Sequence, residues 1–185
     1  MTGADSVCRR LVADCRTGSL QADINEDMPR EKRSKLSTNG LGALLALTGE
    51  TGPEMHADPD SCAVAHALVA EACAVFDAAG LSYERPDEAL RVLSTSKTPD
   101  SKSWEAPDDD LVPRPSTWQD LHYGRGRVEI DGRNGVIVRL GAHFGVPTPA
   151  NRVVQERCNA AAATGLRPGC ESGTSLLAAV RSTSG

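Results

Sequence analysis

A mostly α-helical bundle is the fold this sequence predicts, and three observations carry that expectation. Apolar residues make up 39% of the 185 positions but aromatics only 3%, so the core must be built from Ala, Val and Leu. That set suits close-packed helices better than a β-sandwich. Apolar residues recur at helical spacing, most clearly in residues 6–16 and 60–79. Glycines then stand where those helical patterns run out, at Gly18, Gly49, Gly80 and Gly145.

Taken in order, Cys8, Leu11, Val12 and Cys15 fall at i, i+3, i+4 and i+7, one face of an amphipathic helix. Gly18 ends it, and Leu20, Ala22 and Ile24 then alternate as in a short strand. A second helix is predicted from Pro29 through Leu47, with Pro29 in its first turn and Gly49 beyond its end. Its middle is weak: Gly40 and Gly42 each cost roughly 1 kcal/mol relative to alanine in a helix interior. Residues 60–79 form the clearest helix, capped by Asp60 or Ser61 and stopped by Gly80. Val64, Leu68, Cys73, Val75 and Phe76 supply much of its apolar surface.

A shorter helix is predicted over residues 86–94, and residues 94–115 read as a loop by their prolines and small polar residues. Asp108, Asp109 and Asp110 lie within that loop. Adjacent carboxylates point in different directions, so they read as a solvated turn rather than a cation site. Helices return with a short one from Ser116 to His122, capped by Ser116 or Thr117 and broken by Gly124 and Gly126. Another runs from Glu129 or Asp131 to His143, and a last one follows Val-Pro-Thr-Pro to about residue 163. Val136, Ile137, Leu140 and Phe144 make the segment 134–144 the expected centre of packing. Residues 164–185 are small and polar apart from Leu176, Leu177 and Val180, and are expected to be a loosely held tail.

Composition also narrows function. A net charge of −5 does not favour nucleic acid or an anionic membrane. The apolar stretches fall short of the ~20 residues a spanning helix needs. The first residues, M-T-G-A-D-S-V-C-R-R, lack the apolar run and small-residue cleavage site of a secretory signal, which points to the cytosol. None of Cys8, Cys15, Cys62, Cys73, Cys158 and Cys170 forms a Cys-x-x-Cys pair or sits at zinc spacing from His56, His66, His122 or His143. They are expected to be reduced, buried thiols behaving as small hydrophobes, with no metal site.

Lys35 and Asn39 are four apart on one predicted helix, so their side chains share a face. An ammonium can donate a proton and stabilise negative charge; an amide beside it can hold a substrate's oxygen atoms. Thr117 and Glu129 could bring a hydroxyl and a carboxylate from elsewhere to complete such a pocket. By spacing alone, however, Lys-x-x-x-Asn describes a solvated lysine and a surface amide. Glu129 alone is a carboxylate favoured by a helix N-terminus, and Thr117 alone is an N-cap.

A wider pattern joins these residues. It consists of Lys35-Leu-Ser-Thr-Asn39, Ser116-Thr117, Glu129-Ile130-Asp131, Asn134-Gly135, Gly141, Gly145 and Pro147-Thr148-Pro149-x-Asn151. Asp27-x-x-Arg30-x-Lys32 leads into it. Over about residues 6–157 the chain resembles the C-terminal, helical domain of ketopantoate reductases (2-dehydropantoate 2-reductases), within the wider 6-phosphogluconate-dehydrogenase-like group. The resemblance implies a role for each matching residue. Lys35 would be the general acid, Asn39 and Thr117 would bind substrate, and Glu129 would contact the NADPH cofactor. It also implies a cytosolic oxidoreductase that reduces a 2-oxo acid, 2-dehydropantoate, in pantothenate biosynthesis.

Two departures stand out. Gly42 occupies the place of a second active-site asparagine, and Glu31 stands where an aromatic is usual. Only 34 residues precede Lys35, and no strand–Gly-x-Gly-x-x-Gly–helix is present. The expected organisation is therefore residues 1–28 as the end of a nucleotide-binding domain, 29–163 as the helical domain, and 164–185 as the tail. NADPH is not expected to bind the chain alone, and a separate nucleotide-binding chain or a homodimer is the implied partner. Two other readings stand beside this one: a truncated, non-enzymatic helical interaction module, and another 2-hydroxyacid reductase.

Overall fold

Asp58 starts the helix around which the others gather. Its carboxylate accepts from the Ser61 backbone N–H at 2.7 Å, satisfying one of the free amides at the start of α5, Pro59–Ala78. The expected caps, Asp60 and Ser61, both lie inside the helix. The computed structural model describes residues 3–86 and 114–183, and it is helical with no strand among them. Ahead of α5 come α1 (Gly3–Thr17), α2 (Met28–Asn39), α3 (Leu41–Thr48) and α4 (Gly52–Ala57). After it come α6 (Ser116–His122), a 3-10 turn (Glu129–Gly132), α7 (Asn134–Phe144), α8 (Pro149–Ala163) and α9 (Gly173–Thr183).

The core is built on α3 and α5. Leu41, Ala43, Leu44, Ala46 and Leu47 of α3 are all buried, against Val64, Leu68 and Val69 of α5 and Val153, Val154 and Cys158 of α8. Each large apolar side chain so buried contributes about 1.5–3 kcal/mol. The expected centre, 134–144, is instead one wall. Ile137 joins Ala72, Val75 and Phe76 in a smaller cluster, while Phe144 is 41% exposed. By length and composition α5 could cross a membrane, contrary to the expected shortness of apolar stretches. It is the core helix of the bundle, packed against α9, α8, α7 and α4.

The largest correction is at the C-terminus. Residues 164–183 are not loosely held. The Gly169 and Glu171 N–H groups donate to the Ala46 and Leu47 carbonyls, and the Arg167 guanidinium donates to the His122 carbonyl. Helix α9 then lays Leu176, Leu177 and Val180 into the core beside α5 and α8. Gly173 permits this approach, since a Cβ there would lie 2.3 Å from Ser61 Oγ.

Smaller differences follow the same logic. Residues 20–24 form no strand, because alternation without a neighbouring strand offers their backbone no ladder to join. The helix expected over 29–47 is interrupted for one residue at Gly40, and α6 begins after Pro115 with no side-chain cap. Six free thiols are present; Cys158 is buried as expected, whereas Cys8 and Cys170 are exposed. The helix expected over 86–94, the loop over 94–115 and the run Asp108–Asp110 lie outside the described residues, save for the ends at residue 86 and at 114–115.

Candidate active site

Where α2 gives way to α3, the backbone runs close to two other elements. A Cβ on Gly40 would lie 2.7 Å from Asn134 Nδ2, and one on Gly42 would lie 3.2 Å from the Pro115 Cβ. Asn134 opens α7 and Pro115 immediately precedes α6. The end of α2, the start of α6 and the start of α7 therefore meet at one junction. An asparagine at position 42 would crowd Pro115, so the glycine there goes with the close seating of α3 on α6.

Asn39 is the last residue of α2, next to that junction, and it is half-buried. Lys35 is exposed one turn earlier, about 6 Å along the helix at ~1.5 Å per residue. No described residue forms an ion pair with its ammonium. The helix carrying both residues starts at an Asp27 cap, whose carboxylate accepts from the Arg30 N–H at 3.1 Å. It is tied to the chain after α5 by Arg33, which donates to the Ser82 carbonyl, and by Ser34, which accepts from the Glu84 N–H.

Glu129 is placed by its neighbours. Ile130 is fully buried and anchors the 3-10 turn. Asp131 accepts from Gln155 at 2.6 Å and Asn159 at 3.1 Å, both on α8, and these bonds hold its carboxyl below its ordinary pKa. Gly135 leaves room for the Gln155 amide, which a Cβ would approach to 2.7 Å. With one neighbour sunk and the other tied down, the Glu129 carboxylate is left 84% exposed. Arg133 braces it. Its Nη2 donates to Ser116 Oγ at 2.8 Å and lies 3.7 Å from Glu129 Oε2.

Ser116 and Glu129 line a cleft of about 560 Å³ with Asp120, Arg125, Arg127 and Val128. Thr117 is on the inner side of the same turn and only 2% exposed, so Ser116 presents the accessible hydroxyl of the pair. The structure thus brings Glu129 and the Ser116–Thr117 turn together through Arg133. It sets Asn39 at the adjoining junction and leaves Lys35 outside this cleft's lining.

Sequence reasoning missed Arg125, Arg127 and Arg133, because arginines in a glycine-rich turn read as a solvated loop. It also missed what supports the junction. Asn134, 1% exposed, donates to Asn151 Oδ1 at 3.0 Å; Asn151 in turn donates to the Leu68 carbonyl and to Glu71. Glu71 also accepts the Ala150 and Asn151 backbone N–H groups at 2.8 and 2.9 Å, capping α8 from α5. Burial pushes its carboxyl pKa up, against the pull of those bonds. The signal was present as two asparagines in helix first turns, Asn134 and Asn151, where a side-chain amide serves tertiary contacts better than helix propensity.

Comparison with known proteins gives the family of the chain. The family model described as the C-terminal domain of ketopantoate reductase PanE/ApbA matches residues 27–162. A 2-dehydropantoate 2-reductase of Caulobacter vibrioides is 36% identical over 148 residues, covering 77% of this chain and 45% of that protein. The chain thus spans less than half the length of that relative. Among solved structures, a PanE/ApbA family ketopantoate reductase from Ralstonia eutropha JMP134 superposes with a TM-score of 0.68 at 27% identity. That match covers 85% of this chain and 49% of the other. A D-mandelate dehydrogenase solved with NADH matches in fold, with a TM-score of 0.66 at 21% identity over 88% of this chain and 52% of that one.

Proposed function

The chain belongs to the ketopantoate reductase family, as its C-terminal helical domain, and from that premise we propose that it forms the substrate side of an NADPH-dependent reductase of 2-dehydropantoate. The observation that carries this reading is the junction itself. Just past helix α2, which bears Lys35 and Asn39, Gly40 packs on Asn134 at the start of α7 and Gly42 on Pro115 ahead of α6, while Arg133 links Ser116 to Glu129. An amine, an amide, hydroxyls and a carboxylate so disposed are the groups that reduction of a 2-oxo acid requires of a protein.

NADPH, when bound, supplies the hydride. Lys35 donates the proton to the oxygen that becomes the hydroxyl, and its positive charge stabilises the developing alkoxide. Asn39 and Ser116, whose hydroxyl is the accessible one of its turn, orient the oxo acid; Thr117, expected from the resemblance to bind substrate, is 2% exposed and backs the turn from inside. Glu129, held by Arg133, accepts hydrogen bonds from hydroxyls of the cofactor ribose; its exposed carboxylate suits that task. In this reading residues 1–28 are the end of a nucleotide-binding unit and residues 29–163, completed by α9, are the catalytic partner. The nucleotide-binding part comes from elsewhere in a longer chain or from a second chain, in the cytosol.

The test is to supply a nucleotide-binding domain and follow NADPH oxidation with 2-dehydropantoate, alongside a panel of other 2-oxo acids. Lys35→Ala is expected to cut turnover by at least ~100-fold, the low end of general-acid contributions. An unchanged rate removes Lys35 from the mechanism, and a preference for another oxo acid moves the chain to a different 2-hydroxyacid reductase. One observation favours a second reading, a non-catalytic interaction module. Val7 and Leu11 on α1 and Leu20 and Ile24 beyond it are 47–65% exposed, and α1 packs extensively against none of the described helices. Absence of turnover with every nucleotide-binding domain supplied would favour that module.

A further inference from the structure

The turn between α6 and the 3-10 turn carries more positive charge than its surroundings neutralise. Gly124 and Gly126 have φ of 61° and 70°, the left-handed region, and a Cβ on either would meet nothing within 4 Å. The glycines are therefore there for backbone direction rather than for close packing. The direction they give places Arg125 and Arg127 on the same cleft as Ser116 and Glu129.

Two of the three arginines around this cleft are already engaged. Arg125 donates to Asp120 Oδ1 at 2.7 Å and lies 5.6 Å from the centre of the Tyr123 ring. Arg133 is held by Ser116 and Glu129. Arg127 is exposed and, among the described residues, has no hydrogen bond, ion pair or ring contact. Three guanidiniums against the carboxylates of Asp120 and Glu129 leave one positive charge over, in a chain whose net charge is −5. A guanidinium presents paired donors in a planar fork that matches an oxyanion.

We propose that Arg127 is the recognition group for an oxyanion on the ligand of this cleft, the Gly124–Val128 turn serving as its mount. This rests on the proposed function only for which ligand brings the oxyanion: a phosphate of the dinucleotide or the carboxylate of the oxo acid. Glu129 is read as facing the cofactor, so the phosphate is the expected source.

The experiment uses the chain as it is. Backbone amide NMR is followed during titration with inorganic pyrophosphate and, separately, with pyruvate. Pyrophosphate is expected to move the resonances of Gly124–Glu129 and Ser116 selectively. Arg127→Gln should weaken that binding by about tenfold, as for one hydrogen-bonded charge pair. Arg181→Gln, an exposed arginine on α9, should leave it unchanged. Stronger binding of pyruvate at the same resonances, with the same Arg127 dependence, upholds the site and assigns the oxyanion to the oxo acid. Equal effects of the two substitutions, or shifts spread over all the exposed arginines, overturn it. Hydride transfer enters neither arm, so a failure here and a failure of the reductase reading are told apart.

Discussion

Gly40 is the residue on which the proposed site turns, and two opposed effects meet there. Alanine in place of glycine within a helix gains about 1 kcal/mol of propensity. Here the added methyl would land 2.7 Å from the Asn134 amide. That amide cannot swing aside, because it is 1% exposed and bonded to Asn151. Overpacking of this kind costs about 1–3 kcal/mol, so Gly40→Ala should lower the urea midpoint despite the better propensity. A rise in the midpoint would show that the α2–α7 contact is looser than described. Glu71, two links from Asn134 along the same network, makes a pH prediction. Its folded-state pKa is raised above its ordinary value of 4.5, so the folded chain holds this proton more tightly than the unfolded chain. The stability it contributes is fully present below the unfolded value and is lost as pH climbs through the folded one. Wild type should therefore lose stability relative to Glu71→Gln across that interval, measured by thermal melts at stepped pH. The opposite slope would mean that the three N–H donors outweigh burial.

At the scale of the helix, legibility followed the strength of the local signal. Helix α5 could be read because a long apolar face ends at a glycine; only its cap was displaced, to Asp58. The lysine and asparagine of α2 could be placed on one helix because a four-residue spacing survives the interruption at Gly40, which comes after both. Helix α9 could not be read. Its buried face holds only Leu176, Leu177 and Val180 among small residues, and what fixes it is Gly173 seated on Ser61, more than a hundred positions away in sequence. Its burial makes it indispensable. Leu176 is fully buried, so Leu176→Ala should cost about 2–5 kcal/mol by chemical denaturation. Removing residues 173–185 takes Leu176, Leu177 and Val180 out of the core together, a loss comparable with the ~5–15 kcal/mol that holds a typical domain together. The truncated chain should therefore show no cooperative melt. A sharp transition near the wild-type temperature would return this segment to the status of a tail.

For the molecule as a whole, the site is half legible for a physical reason. The family resemblance, not spacing, singles out the groups that would meet substrate, and it does not bring out the arginines that set the charge of the cleft or the Glu71–Asn151–Asn134 relay that supports the junction beside it. Those depend on contacts between helices distant in the chain. The same distinction governs coenzyme binding. A dinucleotide fold requires a strand, a Gly-x-Gly-x-x-Gly turn and the helix N-terminus that receives the pyrophosphate. The described glycine pairs do other work: Gly40 and Gly42 let helices close on each other, and Gly124 and Gly126 direct a turn. Among the described residues, what the proposed cleft would offer a dinucleotide is one exposed carboxylate, one hydroxyl and one free guanidinium. An oxyanion held there alone should bind at the millimolar level, about 4 kcal/mol, well short of the ~8 kcal/mol of a micromolar complex. Fluorescence titration of the chain with NADPH should therefore show no saturation in the micromolar range, and added nucleotide-binding domain should restore it. Micromolar binding by the chain alone would mean that the helices carry a coenzyme site of their own, and the division of labour proposed between the two domains would fall.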